Sequence, residues 1–204
     1  MKNILQPQLV SKKTISVEEF LNNITVKKYQ ECRTSDGYAY SADIYYKNIF
    51  LCFINDDGNG GELRVQTYSK VSKGEYTYDN TIYAIFETID KKDLHRVTDI
   101  KNADGSYFEY TQDLETLLSR ACDNHLEEKE NKKIFNKGII YETEKGTFKK
   151  EGAYRCISWG KKSIRVLSKL DYMKPKIQET IDKLLRENKF IINEDYLKTL
   201  GFIL

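Results

Sequence analysis

The feature that most constrains this chain is a change of hydrophobic period at Gly37. From there Tyr38, Tyr40, Ala42, Ile44 and Tyr46 alternate with Ala39, Ser41, Asp43 and Tyr45, and a period of two sends successive side chains to opposite faces of a strand. Lys47-Asn48 can turn the chain into Ile49-Phe50-Leu51-Cys52-Phe53-Ile54, a run that is apolar on both faces and therefore expected as the central strand of a sheet. After the Asn- and Gly-rich Asn55 to Gly61, residues Leu63, Val65 and Thr67 fall on one side of Glu62 to Tyr68. Three such strands in succession predict an antiparallel meander. Eight of the 15 tyrosines (Tyr38, Tyr40, Tyr45, Tyr46, Tyr68, Tyr76, Tyr78 and Tyr83) crowd into this region. A ring that carries a hydroxyl suits a half-buried strand face and also a binding surface. Strand packing is the expectation, since β-propensity alone enriches tyrosine here.

Helical periods flank the meander. Ser16-Val17-Glu18-Glu19 is a capping box, with Ile15 and Phe20 at the staple positions, so a short helix is expected from Val17 to about Asn23, burying Phe20, Leu21 and Ile24. Between Tyr76 and Asp90 the spacing of Ile82, Ile85, Phe86 and Ile89 predicts a helix. Asn102 to Ser106 reads as a loop. The clearest helix runs from about Asp113 to Lys129, with Leu114, Leu117, Leu118, Ala121, Cys122 and His125 as one stripe and acidic and basic ends that complement the helix dipole. Lys137 to Tyr141 and Ala153 to Ser158 predict two strands joined by a charged, Gly-containing loop. A further helix is marked by Ile177, Ile181, Leu184 and Leu185 and entered through Pro175. Asn193 is expected to cap a last short helix that ends at Gly201.

The expectation is an α+β fold: an N-terminal antiparallel β-meander with flanking helices, then a long helix and a small basic β-hairpin and helix unit. The parts are a β-rich segment, 1–110, and a helical, basic segment, 111–204, forming either two domains or one.

Composition excludes whole classes. In 204 residues, 40% hydrophobic and 31% charged with 2 prolines, there is no collagen repeat and no disordered tract. The longest apolar run, Ile49 to Ile54, is far below the roughly 20 residues of a membrane helix. Met1 to Pro7 lacks the apolar stretch of a signal peptide, so a cytoplasmic protein without membrane contact is expected. Cys32, Cys52, Cys122 and Cys156 show no C-x-x-C spacing and stand beside only 2 histidines. They are read as free thiols, with no metal site and no cofactor.

The net charge of +2 conceals a partition. Residues 1–144 carry 19 basic and 24 acidic groups, a net of −5, whereas residues 145–176 carry 10 basic against Glu151 and Asp171, a net of +8. Within that segment Lys149, Lys150, Tyr154, Arg155, Trp159, Lys161, Lys162, Arg165 and Lys169 are the candidate binding residues. Cations that neutralise phosphates, set among rings that stack on bases, are the ingredients of RNA or single-stranded DNA binding. The competing reading is the solvated face of a hairpin and helix.

Other candidate chemistry is weaker. Asn55, Asp57 and Asn59 occupy the first, third and fifth positions of a calcium loop with Gly60 at the sixth. The bidentate carboxylate is missing, because Gln66 stands at the twelfth. Its glycines are followed by no Gly-Lys-Ser or Gly-Lys-Thr, so a structural turn is expected. His95 lies in a polar stretch and His125 on the helix stripe, neither at signature spacing from a nucleophile. Cys122 and Cys156 are read as buried thiols. Acid pairs such as Asp56/Asp57 and Glu127/Glu128 are merely adjacent. No catalytic residues are assigned and no enzyme is expected. A metal-dependent nuclease would need a carboxylate cluster that spacing does not assemble.

The stretch Tyr40-Ser41-Ala42-Asp43-Ile44-Tyr45, then Ile54-Asn55-Asp56-Asp57-Gly58-Asn59-Gly60-Gly61, then Asp113-Leu114-Glu115 and a lysine-rich C-terminal part, resembles small uncharacterised proteins of phages, plasmids and other bacterial mobile elements. Those carry an Asn-Asp-Gly-x-Gly-Gly turn, here interrupted by the extra Asp57. The resemblance implies a non-enzymatic inhibitor of a host nucleic-acid-guided defence complex, of the anti-CRISPR type. Such an inhibitor would bind a host defence protein or ribonucleoprotein, through its protein surface, its guide RNA or both. The alternative is a general RNA- or single-stranded nucleic-acid-binding accessory protein.

Overall fold

The computed structural model describes residues 3–4, 10, 13–72 and 75–204; the side chains of 3, 4, 69–72, 75 and 76, Tyr76 among them, lie outside the described set, as does Met1 to Pro7 apart from the backbone of Asn3 and Ile4. The chain divides into two compact units, Met1–His125 and Leu126–Leu204.

In chain order the first unit contains β1 (Asn3–Ile4), α1 (Val17–Asn22), β2 (Ile24–Arg33), β3 (Tyr38–Tyr46), β4 (Ile49–Asp56), β5 (Arg64–Gln66), β6 (Tyr68–Ser72), β7 (Glu75–Asp79), α2 (Thr81–Phe86), α3 (Lys91–Leu94), β8 (His95–Lys101), β9 (Tyr107–Thr111) and the start of α4 (Leu114–Phe135). The expected meander is present, as a four-stranded antiparallel sheet in the order β2-β3-β4-β5. Lys47 and Asn48 both take positive φ, 48° and 68°, as the tightest hairpin turns require. Ala42, Ile44 and Tyr46 of β3 and Leu51, Cys52 and Ile54 of β4 are buried, and their core is completed by Phe20 of α1, Ile82 and Ile85 of α2, and Leu114, Leu117 and Leu118 of α4. Burying each of the Ile, Leu and Phe side chains among these contributes roughly 1.5–3 kcal/mol, so this layer of helices on a sheet fixes the unit. The α1 cap forms as expected, with the Glu19 amide donating to Ser16 Oγ at 3.0 Å.

The first unit departs from the sequence expectation in three places. Tyr76–Asp90 is not one helix. Glu75–Asp79 is strand β7, which pairs with β6 and with β1, and only Thr81–Phe86 is helical, its start marked by the Thr81 amide donating to Asp79 Oδ1 at 2.9 Å. Strand β2 was not expected. It carries a bulge between Lys27 and Gln30, with Lys28 at φ 50°, which breaks the alternation of its side chains. The β8–β9 hairpin was not expected either, because nearly every one of its side chains is exposed.

The tyrosines divide between packing and surface. Tyr46 is buried against Phe20, with ring centroids 6.0 Å apart. Tyr40 is half-buried, stacks on Tyr29 at 5.7 Å and shares a 2.7 Å hydrogen bond with Ser119. Tyr38, Tyr68, Tyr78 and Tyr83 are exposed.

The turn after β4 is structural. Asp56 Oδ1 accepts the Gly58 amide at 2.7 Å, Asp57 Oδ1 accepts the Asn59 amide at 3.1 Å, and Asp57 pairs with Arg64 at 3.2 Å. Gly58 is buried at φ +72°, where a Cβ would lie 2.6 Å from the Ala39 nitrogen and 2.8 Å from the Tyr38 carbonyl carbon. Gly58→Ala is expected to cost about 1–3 kcal/mol, read as a lower midpoint in urea. An unchanged midpoint would show that the β2–β3 turn yields without strain.

The second unit continues α4 and adds β10 (Ile139–Glu142), α5 (Thr147–Glu151), β11 (Arg155–Ile157), α6 (Ile164–Leu167), α7 (Lys174–Arg186), β12 (Phe190–Ile191) and α8 (Glu194–Thr199). The hairpin and helix unit is thus present, with α5 inserted in the expected loop and β12 added on the other side, in the order β11-β10-β12. Ile177, Ile181 and Leu184 bury one face of α7 against Ile139, Ile164, Leu167 and Leu197. Leu185, expected on that stripe, is 43% exposed. Asn193 precedes α8 but makes no side-chain cap there. Its carboxamide, which is buried, instead accepts the Ile140 amide at 3.0 Å and donates to the Gly138 carbonyl at 2.9 Å. No helix among the described residues is long and apolar enough to cross a membrane.

Candidate nucleic-acid interface

The charge partition follows the units. Residues 1–125 hold 15 basic and 19 acidic groups, a net of −4, and residues 126–204 hold 18 basic and 12 acidic, a net of +6.

The nine candidate residues occupy successive elements of the second unit. Lys149 and Lys150 lie on α5, Tyr154 and Arg155 at the start of β11, Lys161 and Lys162 in the turn before α6, Arg165 on α6 and Lys169 just beyond it. All of these are exposed. Trp159 is half-buried and packs against the second core, so its ring also serves the fold.

Two cavities gather part of this set with residues the sequence reading did not select. The first, about 340 Å³, is lined by Lys133, Lys137, Lys161 and Lys162 together with Cys156 and Ser158. The Ile164 amide donates to the Asn136 carbonyl at 3.0 Å, which holds the Lys161-Lys162 turn beside the end of α4. Cys156 is exposed rather than buried; partial burial raises its thiol pKa while Lys137 opposes the rise. The second cavity, about 480 Å³, has Lys145, Lys149 and Lys189 around Phe148, Leu185 and Phe190. Lys150, Arg155, Arg165 and Lys169 line neither.

Glu142 organises α5. Its two carboxylate oxygens accept the amides of Gly146, at 2.5 Å, and Phe148, at 2.8 Å. These bonds, with Lys145 nearby, hold its carboxyl below the usual range. The native pKa is depressed, so this stabilisation is complete above the ordinary carboxylate pKa and is lost as pH falls through the native value. Protection of the amides of residues 146–150, measured against the exchange of an unstructured chain at the same pH, should therefore fall below about pH 4, and Glu142→Gln should remove that dependence. Protection that stays constant through this range in the wild type would contradict the cap.

Elsewhere the titratable candidates have local roles. His95 pairs with Glu109 at 3.2 Å, and His125 rests against the Tyr29 ring at 6.1 Å. Cys52 and Cys122 are buried, which pushes each thiol up to about 12. Among the described residues no three His, Cys, Asp or Glu side chains gather so as to hold a metal ion. A surface that sequence periodicity did not reveal is the β8–β9 hairpin, where Val97, Ile100, Tyr107, Phe108 and Tyr110 are all exposed.

Compared with family models, curated proteins and solved structures, the chain gives no significant match.

Proposed function

We propose that this chain is a non-enzymatic inhibitor of a host nucleic-acid-guided defence complex, of the anti-CRISPR kind, acting in the cytoplasm by occupying the complex's guide RNA with its second unit. One observation carries the reading. Among the described residues, none of the ten cationic side chains packed between Lys145 and Lys176 enters a salt bridge or donates a side-chain hydrogen bond, so the densest run of cations in the chain has no carboxylate partner within the fold. Cations left without a partner within the fold are available to phosphates.

A second reading, a general single-stranded RNA-binding accessory protein, is favoured by the exposed Tyr154 ring, which meets Phe148 edge-on at 5.8 Å beside Arg155. Rings on a cationic surface stack on bases without regard to sequence.

Affinity purification from the native host, with and without RNase, tests the proposal. Expected is a guide-loaded complex that co-purifies with the chain and is lost after RNase. Recovery of mixed cellular RNA without such a complex would favour the accessory protein, and recovery of neither would overturn both readings.

A further inference from the structure

We infer that the cavity beneath α5 is a nucleotide site, which takes one unstacked base of a single-stranded RNA; the inference rests on reading the second unit as RNA-binding. The cavity is formed by the Glu142 to Lys149 segment on one side and by the end of α7 with β12 on the other.

Its walls combine two chemistries. Phe148, Leu185 and Phe190 present apolar and aromatic surface to it, and the last two are 43% and 40% exposed. Exposed apolar side chains gathered round a concavity of about 480 Å³ match the size and lining of small-molecule sites. Around them stand Lys145, Lys149 and Lys189, none in a salt bridge, while each lining carboxylate is already matched. Glu142 is held by the Gly146 and Phe148 amides, and Glu194 by Lys198 at 2.6 Å. Three lining ammonium groups against two carboxylates leave the lining positive by one, and Lys198 offsets Glu194 further. Rings for a base and ammonium groups for the flanking phosphates are the pairing that single-stranded recognition uses.

The cavity also continues toward the predicted interface. Phe148 meets Tyr154 edge-on at 5.8 Å, so aromatic surface runs from the cavity to the start of β11 next to Arg155. The Glu142 cap holds the segment that carries Lys145, Phe148 and Lys149.

The test uses the full-length chain and a single-stranded RNA of about eight nucleotides with a fluorescent adenine analogue at its centre, titrated by fluorescence. Binding is expected to change the analogue's emission. Phe190→Ala should weaken affinity about tenfold with the salt dependence unchanged, since no lysine is lost, and Phe190→Trp should restore it. Leu185→Glu, at an exposed position on α7, should weaken binding as much, and it decides the matter if Phe190→Ala does not fold. Wild-type affinity in the Leu185→Glu variant, with Lys161→Glu/Lys162→Glu still defective, overturns the nucleotide site and leaves the RNA-binding reading standing. Absence of wild-type binding at low salt overturns the reading and the site with it.

Discussion

Gly138→Ala is expected to destabilise the second unit by about 3 kcal/mol or more, at the upper end of what small-to-large changes cost. Gly138 is buried immediately before β10. A Cβ there would collide with the Ile157 carbonyl oxygen, and it would sit 2.9 Å from the Ile157 carbonyl carbon and 3.2 Å from Ser158 Cα. These atoms are backbone, so no rotamer change relieves the contact. Strand β11 has to move away from β10, beginning at the Ile139–Ile157 pair. On the other side, Asn193 ties the Gly138 carbonyl and the Ile140 amide, so β10 cannot retreat without breaking buried hydrogen bonds. For a unit of this size the loss corresponds to a melting temperature lower by roughly 12 °C or more. Hydrogen exchange of the β10 amides in the intact chain checks it, because the first unit's core includes no residue of this sheet. Retention of wild-type protection would mean that β10 and β11 are not held as close as described.

The second large effect is on binding. Lys161→Glu/Lys162→Glu should lower the affinity for single-stranded RNA on the order of a hundredfold at moderate salt, because two phosphate contacts are replaced by repulsion. Both side chains border the cavity that also gathers Lys133 and Lys137, which leaves the reversed charges facing the remaining lysines. Both are exposed and neither forms a salt bridge among the described residues, so stability should change by no more than about 0.5 kcal/mol. A variant that loses binding together with its thermal transition would instead implicate folding.

Local signals in the sequence were sufficient where one face of an element is buried. β3, the Leu114-to-Cys122 stripe of α4 and the Ile177-Ile181-Leu184 face of α7 alternate between core and solvent with a regular period, while β4 is marked by an unbroken apolar run and α1 by its capping box. The β8–β9 hairpin has no such contrast, since Val97, Ile100 and Tyr107 face solvent as fully as their polar neighbours. In β2 the bulge at Lys28 puts Val26 and Tyr29 three residues apart, a spacing unlike that of a regular strand. In Tyr76–Asp90 a genuine helical spacing around Ile82 and Ile85 masked the strand before it. The division of the units inside α4 follows from packing: residues up to Cys122 belong to the first core, which composition around residue 110 does not register.

The candidate site was legible as charge and illegible as shape. The density of basic residues marks Lys149, Lys161 and Lys162, but Lys133 lies outside that segment, at the end of α4, and Lys189 and Phe190 lie far along the chain. Only the folding of α4, α7 and β12 around β10 assembles the two cavities. Asn193 is a similar case, since its position suggested a helix cap while its side chain turned to the sheet.

The claim that the second unit binds RNA through cations left unmatched by the fold is tested most directly by the salt dependence of binding. For single strands, the logarithm of the association constant falls linearly with the logarithm of salt, with a slope of about 0.7 per phosphate neutralised. The wild type should follow such a line, and Lys161→Glu/Lys162→Glu should be shallower by about 1.4. No RNA binding at low salt, or the same slope in both proteins, would contradict the account.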